Sequence, residues 1–227
     1  MVRDTYSRQM KDLRISVTDR CNFRCTYCMP FDEYEWVDKK EILTFEEITR
    51  LANLFVQLGV DKIRLTGGEP LLRSGLEKLI SKLSSLNGLE DLCLTTNGSL
   101  LAEKVSTLKS AGLRRINVSL DTLNSEKFAR IRRRGDLAKV LEGLFAAKRC
   151  GLHPIKINMV VERGVNDDEA GHTDGGRRGE QRIHRLGPAR VARGHRDLGA
   201  LARRDALGDA AGRTGRFWRA CLTHRSG

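Results

Sequence analysis

The sequence predicts an α/β fold over residues 1–169, a parallel sheet with helices packed outside, followed by an irregular C-terminal tail. Short stretches of alternating apolar residues recur through residues 1–169, and helical apolar periodicity fills the intervals between them. Polar or glycine-rich motifs follow strand after strand. Since ligands bind beyond the carboxyl ends of parallel strands, these motifs also indicate where a functional site lies.

Five strands are predicted where apolar and polar residues alternate, at 13–17, 63–65, 92–94, 116–120 and 155–159. A cysteine-rich loop follows the first strand. The next three strands run into Thr66-Gly67-Gly68-Glu69-Pro70, Thr95-Thr96-Asn97-Gly98 and Asp121. In the fifth strand, Lys156 stands between two isoleucines, so its charge faces either solvent or a site.

Helices are predicted in the intervals, at about 45–58, 76–86, 101–108 and 124–149, the last broken near Gly135-Asp136. Two capping-box patterns indicate where helices begin, Thr44 with Glu47 and Ser74 with Glu77. Gly59 and Gly112 are suited to the left-handed conformation that ends a helix. Strand and helix therefore alternate throughout this part of the chain.

Three of the six cysteines, Cys21, Cys25 and Cys28, form a Cys-x3-Cys-x2-Cys pattern. A structural zinc site needs four protein ligands, and no fourth Cys or His is nearby; a catalytic zinc held by three thiolates would be unusual. Three thiolates can instead hold three corners of a cubane iron–sulfur cluster and leave one iron open to a ligand that is not protein. Cys93 and Cys150 are predicted to be small buried or half-buried packing residues.

The cysteine spacing, with Tyr27 before the last cysteine, resembles the signature of the radical S-adenosylmethionine (SAM) superfamily, and Gly67-Gly68-Glu69-Pro70 resembles its second motif. The resemblance implies a partial (β/α) barrel of the radical SAM type, with parallel strands and outer helices, truncated after about five units. It also implies a [4Fe-4S] cluster whose open iron is chelated by SAM. An electron passed to the sulfonium would then release a 5′-deoxyadenosyl radical. The glycines would let backbone approach the ligand, and Glu69 would accept a hydrogen bond from an ammonium group.

Within that superfamily, residues 1–169 are similar to the GTP 3′,8-cyclase family, at segments 13–25, 63–73, 116–123, 155–160 and 164–169. The similarity implies cluster ligands Cys21, Cys25 and Cys28, SAM contacts Tyr27, Gly68 and Ser119, and GTP contacts Arg14, Arg64, Thr95 and Lys156. Arginine forks and a lysine suit a triphosphate.

Members of that family are lyases that act in molybdenum cofactor (molybdopterin) biosynthesis. Its reaction joins C8 of guanine to the ribose C3′ and gives (8S)-3′,8-cyclo-7,8-dihydroguanosine 5′-triphosphate. The similarity also implies an electron donor as partner and a homodimer.

Two domains are predicted, a radical SAM core at 1–169 and a tail at 170–227. The tail departs from the family, whose C-terminal domain carries three further cysteines for a second cluster; here only Cys221 follows Cys150. Arg, Gly and Ala make up 33 of its 58 residues, and it has no Lys, Asn or Tyr. We interpret it as an out-of-frame translation of a GC-rich gene, or else as a natural disordered basic tail. Loss of the second cluster would impair activity, and an uncovered sheet edge would lower stability and solubility.

Overall composition narrows the protein class. Hydrophobic residues make up 40% of the 227, which is enough for a core. The net charge is +12, of which the tail contributes +8, so a nucleic-acid partner is not favoured. No apolar run approaches the roughly 20 residues of a membrane span, and the N-terminus lacks a secretory pattern, so a cytoplasmic protein is predicted.

Several alternatives remain open from the sequence. Another radical SAM reaction, such as peptide modification, would share the cysteine motif. A zinc- or nucleic-acid-binding module would use the cysteine loop and the basic tail. Asn97 and Asp121 could equally be helix caps or ligands. The arginine run at 130–134 is predicted to be a solvated helix face or loop.

Overall fold

The computed structural model describes residues 3–169, and these form one five-stranded parallel sheet. The strands are β1 (Asp12–Ser16), β2 (Lys62–Thr66), β3 (Asp91–Thr96), β4 (Arg115–Ser119) and β5 (Ile155–Asn158). Their spatial order is the chain order, and each neighbouring pair is parallel. The predicted fold class is confirmed for this part of the chain.

Helices connect the strands, as parallel pairing requires. They are α1 (Phe45–Gln57), α2 (Leu76–Ser84), α3 (Leu101–Ser110), α4 (Ser125–Arg132) and α5 (Leu137–Arg149), with short 3₁₀ turns at Pro70–Leu72 and Asp167–Glu169. The break predicted near Gly135-Asp136 separates α4 from α5, and Asp136 caps α5 by accepting from Ala138 N.

One of the two capping boxes is confirmed and the other is wrong. Glu47 N donates to Thr44 Oγ1 (3.2 Å), and Thr44 N donates to Glu47 Oε2 (2.9 Å). In α2 the cap residue is Gly75, at φ +74°, and no side chain caps it. α2 begins one residue later than the Ser74–Glu77 pattern requires. Glu77 is therefore the second residue of the helix, whereas a capping box needs the carboxylate at the third.

The core lies between the helices and one face of the sheet. Apolar side chains of the strands alternate onto that face and are buried there, among them Ile63, Leu65, Leu92, Leu94, Ile116 and Val118. Cys93 is buried and Cys150 half-buried, as predicted. None of the helices among residues 3–169 has the length and apolarity to span a membrane. The predictions for Cys221 and for the tail at 170–227 lie outside the described residues.

Candidate functional site

The sheet face opposite the core carries a polar row. Arg14 on β1 is in register with Arg64 on β2, and Thr95 on β3 is in register with Asn117 on β4. Asn117 is in turn in register with Lys156 on β5. Arg64 is also in register with Cys93, two residues before Thr95 on β3. Because register partners point to the same face, as do residues two apart in a strand, all four residues assigned to GTP lie on one face of the sheet. Ser119, two residues after Asn117, shares that face.

Charges from several strands act on one member of this row. The buried Cys93 thiol lies in it, in register with Arg64. Burial raises the pKa of Cys93, while the charges of Arg64, Arg115 and Lys156 oppose that rise. The charges of Arg64 and Lys156, both assigned to GTP contacts, therefore act on the same point of this face.

Asn117 is a member of the row that the sequence reasoning missed. Its side chain is 3% exposed, and its Oδ1 has no hydrogen-bond partner among the described residues. Thr95 Oγ1 beside it is likewise buried and without a partner there. A buried acceptor is costly unless it is paired, so this pair is suited to a bound polar ligand. The sequence did contain a pattern that could have identified it, a polar residue between two apolar strand residues. Asn117 lies between Ile116 and Val118 in the same way that Lys156 lies between two isoleucines.

The three cysteines lie in the loop that follows β1, at the carboxyl end of the sheet. Cys25 is buried, Cys21 half-buried and Cys28 exposed. Phe23 N donates to Cys21 Sγ (3.4 Å), and Cys28 N donates to Cys25 O (3.1 Å), which turns the loop back on itself. Asn22 ties it to the end of β3, donating to Ser99 Oγ (2.9 Å) and accepting from Asn97 Nδ2 (2.8 Å).

The donor chemistry of this loop fits an iron–sulfur cluster. Burial raises the pKa of Cys21 to about 11; the hydrogen bond from Phe23 N opposes the rise, and the charges of Glu69 and the neighbouring thiols add to it. Across residues 3–169 no group of three His, Cys, Asp or Glu side chains is drawn together as around a single ion. A four-iron cluster bonds each cysteine through a different iron, so its ligands stand farther apart than those of one ion. Cys21, Cys25 and Cys28 would hold it.

The raised pKa of Cys21 gives a testable pH dependence. In the metal-free chain, alkylation of Cys21 by iodoacetamide is expected to rise about tenfold per pH unit between pH 8 and pH 10, because only the thiolate reacts. A short peptide thiol should level off near its ordinary value of 9.0. Peptide mass spectrometry measures both rates, and a plateau for Cys21 at or below pH 9 would contradict the expectation. Binding of a metal by Cys21 requires loss of the thiol proton, because the thiolate is the ligand.

The Gly67-Gly68 pair positions the cysteine loop. Gly68 N donates to Thr18 O and Glu69 N to Arg20 O, both at 2.7 Å. A Cβ on Gly68 would collide with the carbonyl oxygens of Asp19 and Arg20. Because Gly68 has no side chain, the backbone of Asp19 and Arg20 can lie directly against it. The sequence motif implied a close approach by a ligand; the structure shows a close approach by the chain itself.

Glu69 does not stand where an ammonium group could reach it freely. Its carboxylate is fully buried and accepts from Leu71 N (3.0 Å), Thr96 Oγ1 (2.7 Å) and Asn97 N (2.7 Å). Burial raises its pKa, and these bonds oppose the rise. The expectation that its side chain accepts from a ligand's ammonium is replaced by a structural role, joining the end of β2 to the end of β3.

Asp121 and Tyr27 lie beside the cysteines. Tyr27 OH donates to Asp121 Oδ2 (2.7 Å), and Val160 N donates to Asp121 Oδ1 (2.9 Å). Burial, and then the Asp121 charge, raise the pKa of Tyr27. Asp121 is thus neither a helix cap nor an open ligand.

Asn97 accepts from Ser99 N (3.0 Å) in a turn and does not cap α3, whose cap residue is Leu100.

Arg132 was also missed by the sequence reasoning. The run at 130–134 was predicted to be solvated, yet Arg132 is 3% exposed and forms an ion pair with Asp121 (2.9 Å). Arg133 and Arg134 are exposed, and Arg133 pairs with Asp32 (2.6 Å). No local pattern distinguishes Arg132, since its partners Asp121, Ser119 and Cys25 all lie beyond its own helix in the chain.

Comparison with known proteins agrees with this geometry. The profile of the radical SAM superfamily matches residues 15–174. GTP 3′,8-cyclase of Alkaliphilus oremlandii is 50% identical over 168 residues, covering 74% of this chain and 52% of that protein. GTP 3′,8-cyclase of Acidothermus cellulolyticus is 53% identical over 173 residues, covering 74% and 48%. The chain therefore spans about half the length of the curated relatives it matches.

Solved structures share the fold at low identity. The AdoMet-bound anSMEcpe structure has a TM-score of 0.57 at 21% identity, over 73% of this chain and 45% of that one. The [FeFe]-hydrogenase maturase HydG has a TM-score of 0.57 at 16% identity, over 73% and 40%. With the profile match covering most of the chain, and with the cysteine loop at the carboxyl end of a parallel sheet, the chain belongs to the radical SAM superfamily.

Proposed function

We propose that this chain carries the SAM and GTP half-sites of a GTP 3′,8-cyclase. The observation that supports this most directly is the polar row, which sets Arg14, Arg64, Thr95 and Lys156 on one sheet face, with the cysteine loop at the carboxyl end of the same sheet. The relatives at about 50% identity have that activity in their names. The row supplies cations for a triphosphate and neutral acceptors for a nucleoside.

The cluster and SAM would be held next to this row. Cys21, Cys25 and Cys28 would bind a [4Fe-4S] cluster, which supplies the electron that cleaves SAM. Tyr27 and Ser119 would contact SAM, and their positions are fixed by Asp121 and by strand β4. Gly68 would let SAM approach the backbone. The chain's own part is to orient both ligands and to keep water away from the reacting atoms.

We further propose that these 227 residues make 5′-deoxyadenosine but turn over GTP weakly or not at all. A second three-cysteine cluster has only Cys221 available after Cys150. The remaining assignments follow the same proposal: the lyase class, a one-electron donor as partner, a homodimer, and the cytoplasm, where GTP and SAM are present.

Anaerobic reconstitution tests the first step. The chain is expected to bind about four iron and four sulfide, and Cys25→Ser should lose them. With SAM and dithionite, the wild type should release 5′-deoxyadenosine. A colourless chain without iron or sulfide would overturn the cluster assignment and would favour a zinc or nucleic-acid module. Full cyclase turnover would overturn the proposed impairment.

Equilibrium dialysis with GTP tests the substrate assignment. Lys156→Met should weaken GTP binding about tenfold, which corresponds to one charge-assisted hydrogen bond. Lys148→Met, which removes an exposed lysine from α5, is the matched control and should leave the affinity unchanged. A reconstituted chain that makes 5′-deoxyadenosine, with equal GTP affinity in all three proteins, would contradict the GTP assignment and leave another radical SAM substrate, such as a peptide.

A further inference from the structure

Arg132 occupies an unusual position at the end of α4. The neighbouring Arg130, Arg133 and Arg134 are exposed, whereas Arg132 points inward and is almost completely buried. A buried guanidinium needs partners for its charge and its donors. Its partners are the parts of the site that carry the cysteines and the predicted SAM contacts.

The guanidinium makes three polar contacts that are all in the site. Arg132 Nη1 donates to Cys25 Sγ (3.0 Å), Nη2 donates to Ser119 O (3.1 Å), and Nη2 pairs with Asp121 Oδ2 (2.9 Å). The planar fork of arginine allows these contacts at fixed angles, which a lysine ammonium cannot reproduce. Its Nε is buried and has no partner among the described residues.

The surroundings hold this fork in place. The rings of Phe23 and Tyr27 cover the guanidinium, with centroids 5.8 and 5.9 Å from Cζ. Main-chain bonds from Arg24 N to Arg132 O (3.0 Å) and from Thr26 N to Ile131 O (2.9 Å) attach the cysteine loop directly to the end of α4. The backbone that carries Arg132 is therefore joined to the loop that carries Cys25.

Hydrogen bonds to the sulfur ligands of an iron–sulfur cluster change its reduction potential. A donor to a cysteine sulfur stabilises the reduced cluster, which carries more negative charge, so it raises the potential. The Asp121 carboxylate cancels much of the long-range charge of Arg132 but does not remove the bond to Cys25. The bond therefore still acts directly on the Cys25 sulfur.

We propose that Arg132 is a positioning residue for the cluster: it fixes the Cys25 sulfur through a direct hydrogen bond and thereby raises the reduction potential. Through Asp121 the same residue aligns Tyr27, so that the cluster ligand and a predicted SAM contact are set by one side chain. This inference rests on the proposed cluster, and it adds a residue that lies 107 positions from Cys25 in the chain.

The test is an anaerobic redox titration of the reconstituted full-length chain, followed by electron paramagnetic resonance. The double variant Arg132→Met/Asp121→Asn removes the bond without leaving a lone buried charge. It should shift the reduction equilibrium about tenfold toward the oxidised cluster, which is about 59 mV for one electron. Arg130→Gln changes an exposed arginine two residues earlier in α4; it is the control and should titrate as the wild type.

The outcomes separate this inference from the proposed function. An unchanged potential in a double variant that binds wild-type iron would overturn the role of Arg132 and leave the cluster assignment intact. A wild-type chain that takes up no iron or sulfide would overturn both. Loss of iron from a double variant whose thermal unfolding matches the wild type supports the role of Arg132. Should the double variant not fold, Arg132→Lys decides, because it keeps the charge near Asp121: a potential equal to the wild type would refute the role.

Discussion

Replacing Arg132 with methionine is expected to destabilise the folded chain by about 3–5 kcal/mol, because Asp121 would be left as a buried charge without its cation. Asp121 is 1% exposed, so water cannot replace the guanidinium. Tyr27 OH and Val160 N would still donate to it, which limits the cost but does not supply a positive charge. Urea unfolding of the metal-free chain measures the loss.

Two companion variants make this result specific. Arg132→Met/Asp121→Asn should recover much of the lost stability, since neither charge remains buried. Arg133→Met breaks the pair with the exposed Asp32 and should cost at most about 1 kcal/mol. Equal losses for the single and the double variant would show that the ion pair is not what stabilises this region.

Replacing Gly68 with alanine is expected to cost about 1–3 kcal/mol or more, because the new Cβ would collide with the carbonyl oxygens of Asp19 and Arg20. The loop would have to leave β2, breaking the bonds from Gly68 N and Glu69 N. Iron uptake should therefore fall together with the unfolding temperature.

The control for this substitution is Gly151→Ala, at the end of α5. Gly151 has open space around the site of a Cβ, although its φ of +69° imposes a backbone cost of about 1–2 kcal/mol. Gly151→Ala is therefore expected to lower stability by a similar amount and to leave iron uptake per folded chain unchanged. Normal iron uptake by Gly68→Ala would contradict the role assigned to this glycine in seating the cysteine loop.

The alternation of residues was sufficient to predict the sheet, whereas the residues assigned to its polar face came from the family resemblance and did not include Asn117. Lys156 and Thr95 fall on that face because strand side chains alternate strictly, and the sequence contains that period. The capping box at Thr44 was predictable for the same reason, since both partners lie within one turn. The pattern at Ser74 failed because Gly75 reaches a left-handed conformation that no pattern of hydroxyl and carboxylate records.

Side-chain contacts between residues far apart in the chain could not be predicted from one sequence. The bond between Arg132 and Cys25 joins two segments that only the fold brings together. Glu69 illustrates the same limit: its position after β2 was predicted, but the three donors that surround it come partly from β3 and the turn beyond it. Burial then determines the role of such a side chain.

The attachment of the cysteine loop to the end of α4 has a consequence for how the protein matures. All three thiols leave the ribosome early, yet the partner of Cys25 is synthesised 107 residues later. Until then the loop lacks the two main-chain bonds to Ile131 and Arg132. Iron delivered to a nascent chain before that point would meet the sulfurs without their scaffold, so productive metal insertion belongs to a late stage of synthesis or follows release.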